Sequence, residues 1–408
     1  MPRKMSRLTR LKNLLFAIKS MSWTPIRKCE VLQFGGREPT VLAVLSDDFS
    51  IGCMAQVGQS LNIWVLLEAI FMRKWGRFGY YSIYIRRSQA KIILVWHDTN
   101  IEAFELSRHT SVPVACIQNG VRVDLAPAHK EGHFSSLIKF NAKRKAQIHT
   151  YFVLSESERK RLSRFIDSRY VVHGSIRANQ FAIAARGESL DRSVKMLGLI
   201  VSFPNSQDVP TKTILGNLNP FVSVGESVLS YDSYFSYDAV VARAVSDICA
   251  ERQIEFFIIG KRSSDDRLES DFFSTTVSSN VRVIGHPKGD GYSAADEFDY
   301  LVAIDSSLGF EMLGLGKSVA FLPNRLRFCG IDAPLTGLSF LDELPSDGAC
   351  WSSAITEEAI RVFLGQWLDR QPSADDSDIT AFKSRVISVD PGNSKLRSYL
   401  RDCISASS

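Results

Sequence analysis

Short apolar runs alternate with helix-length amphipathic segments along most of the chain. In the first half, Val41 to Ser46 reads as a strand ending at Asp47 and Asp48. Lys91 to Trp96 ends at His97 and Asp98, and Val112 to Ile117 ends at Gln118, Asn119 and Gly120. Tyr151 to Leu154 and Tyr170 to Val172 add two further strands, the latter ending at His173, Gly174 and Ser175. Leu61 to Arg73, Tyr80 to Gln89 and Asn100 to His109 carry helical periodicity between them. A stretch of Gly, Ser and Asp near Arg186 to Ser193 marks the crossing to a second α/β set. That set opens at Leu197 to Phe203 and continues with a helix over Tyr234 to Arg252. Its next strands are Glu255 to Ile259, ending at Gly260, Lys261 and Arg262, and Val281 to Ile284, ending at Gly285, His286 and Pro287. Strands alternating with helices predict parallel sheets covered on both faces, with ligands gathered outside the carboxyl ends of the strands.

The segment Asp299 to Pro323 carries the clearest chemistry. Leu301 to Ile304 is an apolar run that stops at Asp305, Ser306, Ser307 and Gly309; Phe310 to Leu315 is helical and Ser318 to Leu322 apolar again. Two hydroxyls and a glycine therefore stand where a strand hands over to a helix N-terminus. Unpaired backbone N–H groups and the positive end of the helix dipole make such a turn a cradle for phosphate. Glu311, one turn in, is placed to accept from ribose hydroxyls. An ordinary N-cap at Ser306 and a dipole partner at Glu311 would produce the same letters.

Composition fits a soluble enzyme-sized protein. The 408 residues are 45% hydrophobic and 23% charged, which at about 150 residues per domain suggests two or three domains. Seven scattered cysteines with no C-x-x-C pair argue for a reducing compartment, without disulfides or a zinc ribbon. The longest apolar stretch, Ile63 to Met72, is too short for a membrane span and is broken by Glu68, and no secretory signal is apparent. A cytoplasmic protein is expected. Met1 to Ser22 holds Arg3, Lys4, Arg7, Arg10, Lys12 and Lys19 without an acid, while Leu8, Leu11, Leu15 and Ile18 recur at helical spacing. The pattern suits a peripheral helix on an anionic membrane surface, or equally a helix packed on the first domain. Nucleic-acid binding is not expected, because the net charge is only +5 and no zinc-finger or RNP-like pattern occurs.

From Pro39 to Arg325 the segments KIILVWHDTNIEAFELSR, VPVACIQNGVRVD, YFVLSESERKRL, VVHGSIRANQF, FFIIGKR and DSSLGFEMLGLGKSVAFLPNR occur in an order that resembles a family of bacterial surface-carbohydrate (capsule or O-antigen) biosynthesis transferases. Glu311 followed five positions on by Gly316 and then a strand resembles the nucleotide-sugar signature of glycosyltransferases of the GT-B type. The sequence departs from that family at Ser306-Ser307, at Phe310 and near Trp96 and His97. The resemblance implies two Rossmann-like domains facing a central cleft, with C-terminal helices packing back across both. The expected organisation is a basic segment over 1–22, an acceptor-side domain over 23–190, a donor-side domain over 191–365 and a helical tail over 366–408. It also implies Gly174 and Ser175 as donor contacts. His286-Pro287 with Ser306-Ser307 is similar to motifs of enzymes that use CMP-linked acidic sugars.

The resulting expectation is a glycosyltransferase that moves a sugar from a nucleotide-sugar donor to a glycan or lipid-linked glycan acceptor. Ser306, Ser307 and Gly309 cradle the phosphate, and Glu311 holds the ribose. Lys261, Arg262, His286 and Arg325 offset the charge on the departing nucleotide. The base comes from Asp98 or Asp124, both near strand ends of the first half, with Asp47 a third such carboxylate. Gln118, Asn119 and Gly120 orient the acceptor. No Asp-x-Asp motif calls for a metal, and no cofactor is implied. Two alternatives share the fold: a nucleotide-diphospho-alcohol phosphotransferase of teichoic-acid type, and a noncatalytic polysaccharide-assembly protein.

Overall fold

The computed structural model describes residues 21–57, 59–96, 100–120, 141, 145–184, 194–201, 221–224, 227–261, 268–277, 281–285, 291–330, 344–370 and 377–407. Its first half contains β1 (Val31–Phe34), α1 (Pro39–Leu45), β2 (Ile51–Met54), α2 (Ile63–Phe71), α3 (Arg77–Ser88), β3 (Ile92–Val95), α4 (Ile101–His109), β4 (Val114–Ile117), β5 (Ala146–Val153), α5 (Glu156–Ser163), β6 (Ile166–Val172) and α6 (Ile176–Ala184). The six strands form one parallel sheet in the order β2-β1-β3-β4-β5-β6.

The second half begins with β7 (Met196–Ile200) and an antiparallel pair, β8 (Phe221–Val224) and β9 (Ser227–Ser230). It continues through α7 (Tyr231–Arg252), β10 (Glu255–Ile259), α8 (Leu268–Thr276), β11 (Arg282–Ile284), α9 (Gly291–Asp296), β12 (Tyr300–Ala303), α10 (Ser307–Gly314), β13 (Ser318–Phe321) and α11 (Arg325–Phe328). Its parallel sheet runs β11-β10-β7-β12-β13, so the strand order reverses between β7 and β12. Strands β1, β3 and β4 are buried along their whole length, as parallel strands covered on both faces must be.

Alternate side chains of the first sheet serve two cores. Leu32, Ile93 and Val95 face Val65 and Ala69 of α2, Tyr81 and Ile83 of α3, and Phe104 of α4. Val31, Ile92 and Leu94 face the other way, onto α1 and onto Leu396, Tyr399 and Leu400 of the last helix. That helix, α14 (Ser394–Ala406), therefore belongs to the first half, whereas α12 (Glu357–Asp369) supplies Ile360 and Leu364 to the core of the second. Between them, α13 (Ser377–Val386) leads into a strap that touches both halves. Ile387 lies against Gly314 of α10, and the Ser388 amide donates to the Leu154 carbonyl at 2.8 Å. The Asp390 amide then donates to Asn179 Oδ1 at 2.7 Å.

Two expectations need correction. Val41 to Ser46 is not a strand: Pro39 occupies the first turn and Glu38 accepts from the Thr40 amide, which starts a helix over the same apolar letters. The strand lies upstream at Val31–Phe34 and stops where Gly35 and Gly36 take φ of 99° and 111°. Asp47 consequently sits in an exposed turn after α1 rather than at the end of a strand. Second, the helix read from Leu61 begins at Ile63, because Asn62 accepts from the Trp64 and Val65 amides as its cap while Leu61 and Asn62 pair with Met21 and Ser22. The segments 1–20, 186–193 and 366–408 bear on the expected boundaries; the first two lie outside the described residues, as do 371–376 of the third.

Candidate active site

The polar turn after β12 stands beside the point where the order of the second sheet reverses, the usual place for a ligand in an open parallel sheet. Ser306 is the N-cap of α10, yet its side chain makes no capping bond. In the first turn the Gly309 amide already returns to the Ser306 carbonyl at 3.1 Å. The amides of Ser307 and Leu308 have no helical acceptor by position, so they point out of the helix with the positive end of its dipole. Gly120, on the loop after β4, closes the site from the other half: a Cβ there would lie 3.7 Å from Ser307 Oγ. Asn119 beside it is exposed at the lip, and Lys261 is exposed at the carboxyl end of β10.

Beneath the turn sits a buried ion cluster. Arg325 donates from Nε and Nη2 to the two carboxylate oxygens of Asp238, at 2.7 and 2.6 Å, and from Nη1 to Asp305 Oδ2. Its guanidinium also lies 4.8 Å from the centre of the Phe235 ring. Burial pushes the Asp238 carboxyl pKa up, and Arg325 acts in the opposite direction. Arg325 thus fixes Asp305, the residue before the N-cap, from beneath the turn.

Several other expected ligands are likewise committed. Glu311 is buried and accepts from the Tyr292 hydroxyl, which lies 3.4 Å from Ser175 Oγ of the first half. Burial raises the Glu311 carboxyl above the usual range, and the bond from Tyr292 partly offsets that. In the structure this carboxylate is bonded inside the interface between the halves. Gly174, with φ of 87° and the Ser388 carbonyl 2.0 Å from where a Cβ would stand, lies under the strap. Gln118 accepts from the Leu154 amide at 3.0 Å and donates to Glu158 at 2.9 Å and to the Gly120 carbonyl at 3.1 Å. Its amide shapes the loop that presents Gly120, with both N–H groups engaged. Gly309 serves packing, since a Cβ would meet Ala303 Cβ at 2.5 Å. Gly316, with φ of 96°, ends α10 in a Schellman motif with bonds from Gly316 to Leu313 and from Lys317 to Met312. Asp98, Asp124, Arg262 and His286 lie outside the described residues.

The first sheet offers a matching feature that the sequence reading missed. Its order reverses between β1 and β3, and there a cavity of about 60 Å³ is lined by Gln33, Gly35, Gly36, Arg37 and Trp96. Gly-Gly after a short apolar run, with a proline three residues on, was the available signal. A broader concavity of about 800 Å³, lined by Lys28, Glu30, Lys91 and His109 among others, opens at the amino ends of the same strands, the wrong end of the sheet for this chemistry. Among the described residues no cluster of three or more His, Cys, Asp or Glu is placed to hold a metal. No helix among them is long and apolar enough to cross a membrane.

Comparison with known proteins agrees with this frame. Solved structures of the wall teichoic acid polymerase TagF superpose with a TM-score of 0.52 at 12% identity, covering 98% of this chain and 95% of that one. A TagF H444N structure soaked with CDPG gives 0.51 at 10% identity, covering 98% and 99%. A "putative UDP-N-acetylglucosamine 2-epimerase" from Listeria monocytogenes gives 0.51 at 10% identity, covering 93% and 96%. At such identities the likeness is one of fold, the two-domain GT-B arrangement. No curated protein matches by sequence. The profile of a family described as "putative O-antigen biosynthesis protein" matches residues 115–404, most of the chain and all of the second half's site. The chain belongs to this O-antigen biosynthesis family.

Proposed function

We propose that the protein is a glycosyltransferase that moves a sugar from a nucleotide-sugar donor, CMP-linked acidic sugars among the candidates, to a surface-polysaccharide or lipid-linked glycan acceptor at the cytoplasmic face of the membrane. The observation that carries this reading is the α10 N-terminus at the reversal point of the second sheet, with an uncommitted Ser306 hydroxyl and Gly120 of the other half beside Ser307. The TagF structure obtained after a CDPG soak is in keeping with a nucleotide ligand on this fold.

In this scheme the donor phosphates rest on the Ser307 and Leu308 amides and the Ser306 and Ser307 hydroxyls, where the dipole and N–H groups favour negative charge. The acceptor oxygen attacks the anomeric carbon, the bond from that carbon to the phosphate oxygen breaks, and the acceptor proton passes to Asp98 or, failing it, Asp124. Lys261, Arg262 and His286 offset the charge that the nucleotide carries away. Asn119 and Gly120 border the acceptor, and Gly35, Gly36 and Arg37 extend its site across the first half. Arg325 acts on the phosphate only through Asp305, as a positioning residue.

A donor-consumption assay with and without acceptor tests the division of labour. Asp98→Asn is expected to slow transfer by about 100-fold or more, the usual worth of a general base, with donor binding near normal. His286→Ala is expected to slow transfer and donor hydrolysis together, because both break the same sugar–phosphate bond. Full transfer in Asp98→Asn and Asp124→Asn alike would remove the first half's carboxylates from the mechanism. A product that retains phosphate from the donor would identify a phosphotransferase instead.

A further inference from the structure

Helix α2, IWVLLEAIF, is apolar but for Glu68, and among the described residues only one side is covered. Val65 and Ala69 enter the core beneath it. On the outer side Trp64, Leu67, Ile70 and Phe71 are exposed, at the three- and four-residue spacing of one helix face. Phe71 is 88% exposed, and the patch continues into Met72 and Trp75, the latter 73% exposed. Trp23, 67% exposed, joins at the helix start, where its carbonyl accepts from Trp64 Nε1 at 2.8 Å. Three tryptophans, a phenylalanine and three aliphatic or thioether side chains thus form one uncovered surface, far more than the scattered single apolar residues of an ordinary exterior.

Charge identifies what covers it. Arg73 and Lys74 are exposed between Phe71 and Trp75, and Arg77 is exposed just beyond. Glu68 is neutralised by Arg86 and Arg87, and Glu102 lies 3.6 Å from Arg77, which leaves Arg73 and Lys74 as the basic pair of the patch. The chain enters the fold here too: Met21 and Ser22 pair with Leu61 and Asn62 at the edge of the patch. The sequence preceding them carries six basic residues and no acid. A second copy seated face to face would bring these like charges together at a cost. An anionic bilayer attracts them, while tryptophan rings favour the depth at which headgroups meet acyl chains.

We propose that the outer face of α2, with Trp23, Trp75, Arg73 and Lys74, is the surface by which the protein docks on an anionic lipid bilayer. The inference deepens the membrane placement proposed above and is independent of the donor: the surface belongs to the half assigned to the acceptor, and it brings that half to the membrane where a lipid-linked acceptor resides.

Flotation of the full chain with vesicles of phosphatidylcholine, alone or mixed with phosphatidylglycerol, tests this. The wild type is expected to float with the mixed vesicles and much less with the neutral ones. Phe71→Ser/Trp75→Ser should lower vesicle partitioning by about tenfold or more, since the apolar term is lost. Arg73→Gln/Lys74→Gln should lower it roughly fivefold per residue and weaken its salt dependence. All four positions are exposed, so the thermal midpoint should not move, and nucleotide binding without vesicles should stay at the wild-type level. Failure here would then leave the donor reading standing. Equal flotation of the wild type and both variants would overturn the proposal, as would absence of wild-type flotation. A wild-type dimer in sedimentation that Phe71→Ser/Trp75→Ser converts to a monomer, with no vesicle binding, would show that a second copy covers the face.

Discussion

Tyr292 donates its hydroxyl to the buried carboxylate of Glu311, and the same hydroxyl lies 3.4 Å from Ser175 of the opposite half. The ring of Tyr292 also stacks on Phe181 of α6, with centroids 5.6 Å apart. One tyrosine of the second half is therefore anchored to the first by a polar and an aromatic contact. Removing only its hydroxyl deprives Glu311 of that donor in a buried site, with the Ser175 hydroxyl left beside it. Tyr292→Phe is expected to destabilise by about 1–3 kcal/mol, the cost of an unsatisfied buried group, as read in urea unfolding. Unchanged stability would mean that water replaces the bond.

His173 gives the fold a pH dependence. It is fully buried, with Nδ1 3.1 Å from the Gly174 carbonyl and Nε2 3.3 Å from Asn179 Nδ2. These partners assign the neutral tautomer protonated at Nδ1. Burial, the leading cause, lowers its pKa from 6.5 to about 4, although Asp390 favours the charged form. Below about pH 6.5 the unfolded chain takes up a proton that the folded chain refuses. The stability present above that pH is lost as the pH falls towards 4, about 3 kcal/mol in all. Urea midpoints measured across this range should show the loss, and His173→Gln should flatten that part of the profile. A slope unaltered by the substitution would assign the effect to other groups.

The Asp238–Arg325–Asp305 cluster should be sensitive to truncation of its cation. Arg325→Met leaves a fully buried carboxylate uncompensated and is expected to cost about 3–5 kcal/mol in unfolding free energy. Adding Asp238→Asn should recover part of that loss, because the orphaned charge is gone. No recovery in the double variant would locate the cost in lost packing on Phe235.

Two glycines near the site should respond differently to a methyl group. Gly309→Ala would press on Ala303 Cβ at 2.5 Å and on the Phe321 ring at 3.1 Å, and is expected to destabilise by about 1–3 kcal/mol. Among the described residues Gly120→Ala meets only Ser307, at 3.7 Å, and should leave the thermal midpoint nearly unchanged. Equal effects would contradict the packing assigned to Gly309.

The legibility of the sequence followed the range of the forces involved. Strand, turn, helix and strand over Tyr300–Phe321 were readable because a four-residue apolar run, a polar turn and a glycine stop are local signals. The first strand was not, since buried Gln33 interrupts its apolar run and the stronger-looking Val41–Leu45 stretch is turned into a helix by Pro39. The partners of Glu311 and Arg325 escaped detection for a different reason: Tyr292 is 19 residues away and Asp238 is 87, and only the folded halves bring them together. The sequence likewise marked α2 as apolar without telling which side would stay bare.

The central claim is that the α10 N-terminus holds the phosphates of a nucleotide, and a titration of the wild type with CMP, UDP and GDP, followed by thermal unfolding, tests it most directly. One of the three is expected to stabilise the protein, by about 2.7 kcal/mol at a hundred times its dissociation constant. Ser306→Ala/Ser307→Ala should weaken that nucleotide by about tenfold or more, two bonds to a charged group being lost, without shifting the midpoint of the free protein. No response to any of the three, or equal affinity in the double variant, would contradict the account.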